Sequence, residues 1–136
     1  MRKLLLGLLV LLLAGCLGGE PAIVVKDPYV YSNPGMKAVS VFMEIQNTGA
    51  GDDALVGASI RDHPDAMVML HTVRDGKMVM VKKIDIPSKK TVLLKPGGYH
   101  IMGLKIKNPK TEGELTVVLR FERSGEILIK APIRAP

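Results

Sequence analysis

The sequence has no tryptophan, two phenylalanines and three tyrosines. So few aromatic rings leave no stacking platform of the kind single-stranded nucleic acid needs, and no nucleic-acid partner is expected. Cys16 is the only cysteine. An intramolecular disulfide is therefore impossible, and a blue-copper centre, whose His₂Cys set needs a thiolate, is disfavoured. Histidine is scarce too: His63, His71 and His100. No stretch carries a sustained 3.6-residue apolar period with caps. The sequence offers no Ser/His/Asp set, no phosphate-cradling loop and no convincing carboxylate pair, since Asp52-Asp53 reads as a solvated turn. A non-enzymatic protein is expected.

The one long apolar run, Leu4 to Leu13, is broken by Gly7. It is shorter than the roughly 20 residues a membrane span needs. Arg2 and Lys3 precede it and Leu13-Ala14-Gly15-Cys16 follows, the layout of a secretory signal. Small residues before a lone cysteine resemble the lipobox of secreted lipoproteins, in which the thiol receives a lipid. The other reading is an ordinary signal peptide with a spare thiol nearby. The expected organisation is a signal peptide with lipobox cysteine over 1–16, a flexible tether over 17–22 and one β-domain over 23–136. A lipid on Cys16 would anchor that domain to the outer face of the cell membrane. Cleavage would remove Arg2 and Lys3 and lower the formal charge from +6 to about +4. The remaining lysines are scattered, as on a solvated basic surface.

What is present is β patterning. Val39, Val41, Met43 and Ile45 alternate with Ser40, Phe42, Glu44 and Gln46, the period of a strand. Further short runs over 54–60, 66–73, 77–86, 91–94, 99–107, 115–122 and 126–131 are separated by turn residues. Seven or more short strands at this spacing predict an all-β Greek-key sandwich or barrel.

Methionine is abundant in the same region. Met36 and Met43 read as core filler, and Met67 and Met69 chiefly as structural residues. The segment His71 to Met80 reads differently. Asp75-Gly76 between two β runs is a two-residue type I′ turn signal. Counting outward, Arg74 pairs with Lys77, Val73 with Met78, Thr72 with Val79 and His71 with Met80. Directly opposed residues share a face, their Cβ atoms about 4.5–5.5 Å apart. In Tyr99-His100-Ile101-Met102, residues 100 and 102 again share one face. Two of the three histidines thus each have a methionine at a contact-forming offset. If the pairs converge they make a His₂Met₂ set.

Such a set is neutral and soft. Thioethers select soft cations, and zinc sites favour thiolate or carboxylate beside histidine. Calcium and magnesium want clustered oxygens. Copper(I) is the ion that fits. The alternative is a metal-free interaction module in which the His/Met face is packed or faces a partner.

The chain resembles the PCu(A)C family of periplasmic copper chaperones over about residues 23 to 132. The resemblance runs through Met43-Glu44-Ile45-Gln46-Asn47-Thr48-Gly49, Asp53 to Ser59, Leu70-His71, Asp75 to Met80, and most specifically Leu94-Lys95-Pro96-Gly97-Gly98-Tyr99-His100-Ile101-Met102. It implies a cupredoxin-like sandwich and Cu(I) bound by the pattern H-x₁₀-M-x₂₁-H-x-M. His100 and Met102 fit the H-x-M end. The first half departs: the methionine position counted from His71 holds Lys82, and counted back from His100 it holds Met78. Counted from Gly76 it holds Met80, which keeps the pairing with His71. The implied ligands are His71, Met80, His100 and Met102, with Met78 in reserve; the residues themselves add Met69, two positions before His71, and His63, a loop residue, as accessory contacts. The resemblance further implies delivery to a copper-accepting protein, the CuA centre of cytochrome c oxidase being the recipient it points to. Copper storage or detoxification suits the same residues.

Overall fold

Alternating apolar residues separated by turn signals build ten strands among the described residues. The structure is a computed structural model that describes residues 19–134. The leader over 1–16, with Cys16, lies outside them, as do residues 17, 18, 135 and 136. The strands are β1 (Ile23–Asn33), β2 (Ala38–Asn47), β3 (Asp53–Ile60), β4 (Met67–Arg74), β5 (Lys77–Val81), β6 (Ile84–Ile86), β7 (Thr91–Leu94), β8 (His100–Leu104), β9 (Glu114–Phe121) and β10 (Gly125–Arg134). A single 3₁₀ turn, Pro34–Met36, joins β1 to β2.

The strands follow one hydrogen-bonded path, β5-β4-β8-β2-β1-β10-β9-β3-β6, with β7 also on β2. The join is a parallel pairing of β1 with β10 at Val30–Ile133 and Tyr31–Arg134. One layer holds β5, β4, β8, β7, β2 and β1; the other holds β10, β9, β3 and β6. Most neighbours are not consecutive in sequence, as Greek-key connectivity requires. The fold is therefore the expected all-β sandwich. Its core lies between the layers and includes Val41, Ile45, Leu55, Ile84, Ile101 and Leu119, all fully buried. Each such side chain contributes roughly 1.5–3 kcal/mol by leaving water.

Three expectations change, and one strand, β1, has no counterpart in the sequence reading. The run over 77–86 is two strands, because the chain crosses from one layer to the other at the exposed pair Lys82-Lys83. The run over 99–107 ends at Leu104, where Lys105 turns left-handed at φ 59° and Ile106 donates its N–H to the Lys37 carbonyl. Met36 is not core: the 3₁₀ turn leaves it exposed, whereas Met43 is buried as expected. Strand β1 carries no clean alternation, because Asp27-Pro28 forms a bulge between its pairs Lys26–Glu44 and Tyr29–Phe42.

Two buried polar groups close the end of the sandwich nearest residue 19. Asn47 donates from Nδ2 to the carbonyls of Gly51 (2.8 Å) and Ile86 (3.0 Å) and accepts at Oδ1 from the N–H of Ala22 and Gly49. Asp53 accepts from the N–H groups of Ala54, Arg123 and Ser124 and from the Ser124 hydroxyl. Burial by itself would raise the Asp53 carboxyl; these hydrogen bonds outweigh it and hold it below the ordinary value. Residues 19–22 are fastened here as well. Arg123 donates to the Gly19 carbonyl, and the Gly51 and Thr48 N–H groups donate to Glu20 and Ala22. Of the tether expected over 17–22, residues 17 and 18 lie outside the described residues and residues 19–22 make these hydrogen bonds.

Candidate metal centre

The Asp75-Gly76 turn has φ 51° and 75°, both positive as a type I′ turn requires. It fixes the β4–β5 register at Arg74–Lys77, Val73–Met78, Thr72–Val79 and His71–Met80. These are the pairs counted from the sequence. On its other edge β4 pairs with β8, and there His71 lies opposite His100 and Met69 opposite Met102. The next strand, β2, sets Ser40 opposite Met102.

These pairings make two adjacent cross-strand rows, Met80–His71–His100 and Met69–Met102–Ser40. Both lie on the outward face, because the alternating residues Leu70, Ile101 and Val41 point into the core. The two imidazole rings are 5.4 Å apart between centroids, at an interplanar angle of 84°.

His100 is only 4% exposed although it faces outward. The Phe42 ring lies 6.0 Å from it, and Tyr29 and Tyr31 extend that aromatic cluster. Its Nδ1 is 3.1 Å from the Gly98 carbonyl. A carbonyl only accepts, so Nδ1 carries a proton, and in the neutral ring the lone pair is on Nε2. That Nε2 is enclosed and has no hydrogen-bond partner among the described residues. A donor nitrogen whose ring is oriented by a backbone carbonyl is the usual state of a metal-binding histidine. His71 Nδ1 is likewise enclosed and unpartnered. Burial, and secondly the nearby His100, lower the His71 pKa from its ordinary value of 6.5. At neutral pH His71 is therefore an uncharged imidazole, the form that binds metals.

The thioethers differ in access. Met102 is 8% exposed, and the Ser40 hydroxyl donates to its sulfur at 3.6 Å. Met80 and Met78, on the edge strand β5, are 69% and 58% exposed. Met69 is half-buried beside Met102. Among the described residues no group of three or more His, Cys, Asp or Glu side chains is gathered in one place. The donor set is thus two imidazoles with thioethers, neutral throughout.

The structure brings together His71, Met80, His100 and Met102, with Met78 and Met69 adjoining them. It does not bring His63 there. His63 sits in the β3–β4 loop, where it lines a cavity of about 290 Å³ with Asp62, Asp65 and Lys105. A larger cavity of about 580 Å³ lies beside Gly51, Asp53 and Arg123. Three contributors escape the sequence reading: Gly98, Ser40 and Phe42. The signal for the last two was present in the alternation of β2, which puts them on the outward face.

A family model described as "Putative lipoprotein LpqE-like" matches residues 23–133. The chain belongs to this LpqE-like family. A curated relative, "Putative lipoprotein Lxx21020" of Leifsonia xyli subsp. xyli, is 28% identical over 104 residues, covering 74% of the chain. The chain spans 63% of that relative's length. Among solved structures, the apo PCuAC domain from PmoF1 superposes with a TM-score of 0.73 at 27% identity, covering 84% of the chain and 94% of that domain. The copper-bound PCuAC domain from PmoF2 gives 0.72 at 25% identity, covering 84% and 93%. The cupredoxin-like sandwich implied by the sequence resemblance is thus the fold of this chain.

Proposed function

We propose that this protein is a non-enzymatic copper(I) carrier in which His71, Met80, His100 and Met102 hold one Cu(I) on the outer face of the sandwich. The observation that carries the reading is the enclosed, unpartnered Nε2 of His100 beside His71, with a thioether adjoining each imidazole. A buried lone pair without a partner costs free energy unless a ligand uses it. A neutral nitrogen–sulfur set leaves the ion's charge uncompensated, which favours Cu⁺ over Cu²⁺, and soft sulfur disfavours hard cations. Thioethers also hold copper less tightly than thiolates, as a carrier that releases its ion requires. The PmoF2 domain, copper-bound on the same fold, supports the choice of metal.

The carrier works outside the cytoplasm, cleaved before Cys16 so that residues 1–15 are removed, lipidated on that cysteine and held at the outer face of the membrane. Its partner is a copper-accepting protein, and the CuA centre of cytochrome c oxidase is the recipient we put forward. Transfer proceeds by ligand exchange, each donor being replaced in turn.

An anaerobic Cu(I) competition titration of the full chain against a chromophoric chelator tests the reading. The expected result is one-to-one binding, lost in a His100→Ala/Met102→Ala variant whose circular dichroism still reports a β fold. No binding above the chelator's threshold would sink the carrier reading and leave the metal-free interaction module.

A further inference from the structure

The His/Met surface is unequal in its two halves. On β8, His100 and Met102 are buried and held from behind by the Gly98 carbonyl and the Ser40 hydroxyl. On β5, Met80 and Met78 are largely exposed, and β5 is an edge strand bonded to β4 alone. Met78 lies two residues from Met80 on the same face, opposite Val73 and therefore diagonal to His71. A long side chain reaches across such a diagonal. The four-residue copper set does not use Met78.

We propose that Met78 is an exit donor. During transfer its sulfur replaces that of Met102, which draws Cu(I) off β8 and onto the β4–β5 hairpin. There His71, Met80 and Met78 hold it at the open edge. This rests on the copper(I) reading above. The Cu–S bond to Met78 forms as the Cu–S bond to Met102 breaks. The Cu–N bond to His100 breaks as a donor of the acceptor bonds to the ion. Copper stays in the +1 state, and thioethers carry no proton, so neither an electron nor a proton moves. The exchange is needed because an approaching acceptor cannot touch the buried β8 donors. It must meet the ion at donors that are soft, exposed and beside His71; Met80 lies opposite His71 and Met78 diagonal to it, whereas the exposed Met67 lies four residues away along β4. Met69 does not qualify, since it is half-buried against Met102.

The test compares the unaltered full chain with Met78→Leu, a change of similar volume at an exposed position. Equilibrium Cu(I) affinity is measured by chelator competition. Release from the loaded protein to bathocuproine disulfonate is followed by stopped flow. The expected result is an affinity within about twofold of the original and release slowed about fivefold or more. A Met69→Leu control is expected to release copper at the normal rate. Equal release rates for Met78→Leu and the unaltered chain would overturn the proposal. So would a loss of affinity matching that of Met80→Leu, which would make Met78 a resting ligand, or equal slowing in the Met69 control. An unaltered protein that takes up no Cu(I) would instead overturn the carrier reading itself.

Discussion

His71 stands directly opposite His100 across the β4–β8 pairing, with 5.4 Å between ring centroids. This one register match turns two separate His/Met pairs into a single surface. The residues are 29 positions apart in the chain. Each also has a neighbouring methionine, Met80 across the strand pair from His71 and Met102 on the same face as His100, so disturbing either strand disturbs the whole set.

Single replacements should therefore each weaken copper(I) binding. Met80→Leu and Met102→Leu are expected to lower affinity about tenfold or more, a loss seen even for outer partners of metal sites. His100→Ala should cost more, because it removes the one donor nitrogen whose orientation a backbone carbonyl fixes. Competition titrations of the three variants would check the order. An unchanged affinity in Met102→Leu would remove Met102 from the set.

The turn offers a test that leaves every donor in place. Inserting one residue between Gly76 and Lys77 shifts the β5 register and turns Met80 toward the core face. Affinity should fall at least as far as in Met80→Leu while far-ultraviolet circular dichroism still reports a β fold. Retention of full affinity would show that the His71–Met80 pairing is dispensable.

Acid stability should trace in part to Asp53, one of two carboxyls, with Asp62, held below the ordinary value. Burial opposes its ionisation, yet the Ser124 hydroxyl and the Arg123, Ala54 and Ser124 N–H groups hold its folded pKa below the ordinary 3.8. The unfolded chain therefore takes up the proton first as pH falls. The stabilisation is fully present above 3.8 and is lost as pH drops through the lower, folded value. Urea midpoints should decline below about pH 4 in the unaltered protein. Asp53→Asn should lose about 1–3 kcal/mol at neutral pH and show a flatter acid limb. Parallel acid limbs in the two proteins would exclude this assignment.

Gly103 lies beside Met102 in β8 but points inward. A Cβ there would stand 2.8 Å from Ile60 Cδ1 and 3.1 Å from Val39 Cγ2. Both are ends of side chains, so partial adjustment is available. Gly103→Ala is expected to cost about 1–3 kcal/mol by overpacking, measurable as a lower denaturant midpoint.

Cys16→Ser should move the protein from the membrane fraction to the soluble fraction. Mass spectrometry of the membrane-associated form should find the lipid mass on the peptide beginning at residue 16. A cleaved, unmodified thiol would make the leader an ordinary signal peptide.

The amino-acid sequence by itself determined the local geometry of this protein. Asp75 and Gly76 accept positive φ, so the hairpin between them and the opposition of His71 to Met80 follow from turn chemistry. The period of two places His100 and Met102 on one face, and the turn residues mark most strand ends. What local preference cannot express was decided by the tertiary structure. Strand β1 was illegible because the Asp27-Pro28 bulge interrupts its alternation. The split of 77–86 depends on which layer each half covers, and both halves are apolar. The meeting of His71 with His100, the burial of His100 behind Phe42, and the Ser40 contact to Met102 all require strands distant in the chain to become neighbours. That choice is made by closing long loops around a shared core, which buries Leu70, Ile101 and Val41 together. The outward face, with its two imidazoles and its thioethers, is set by how that core packs.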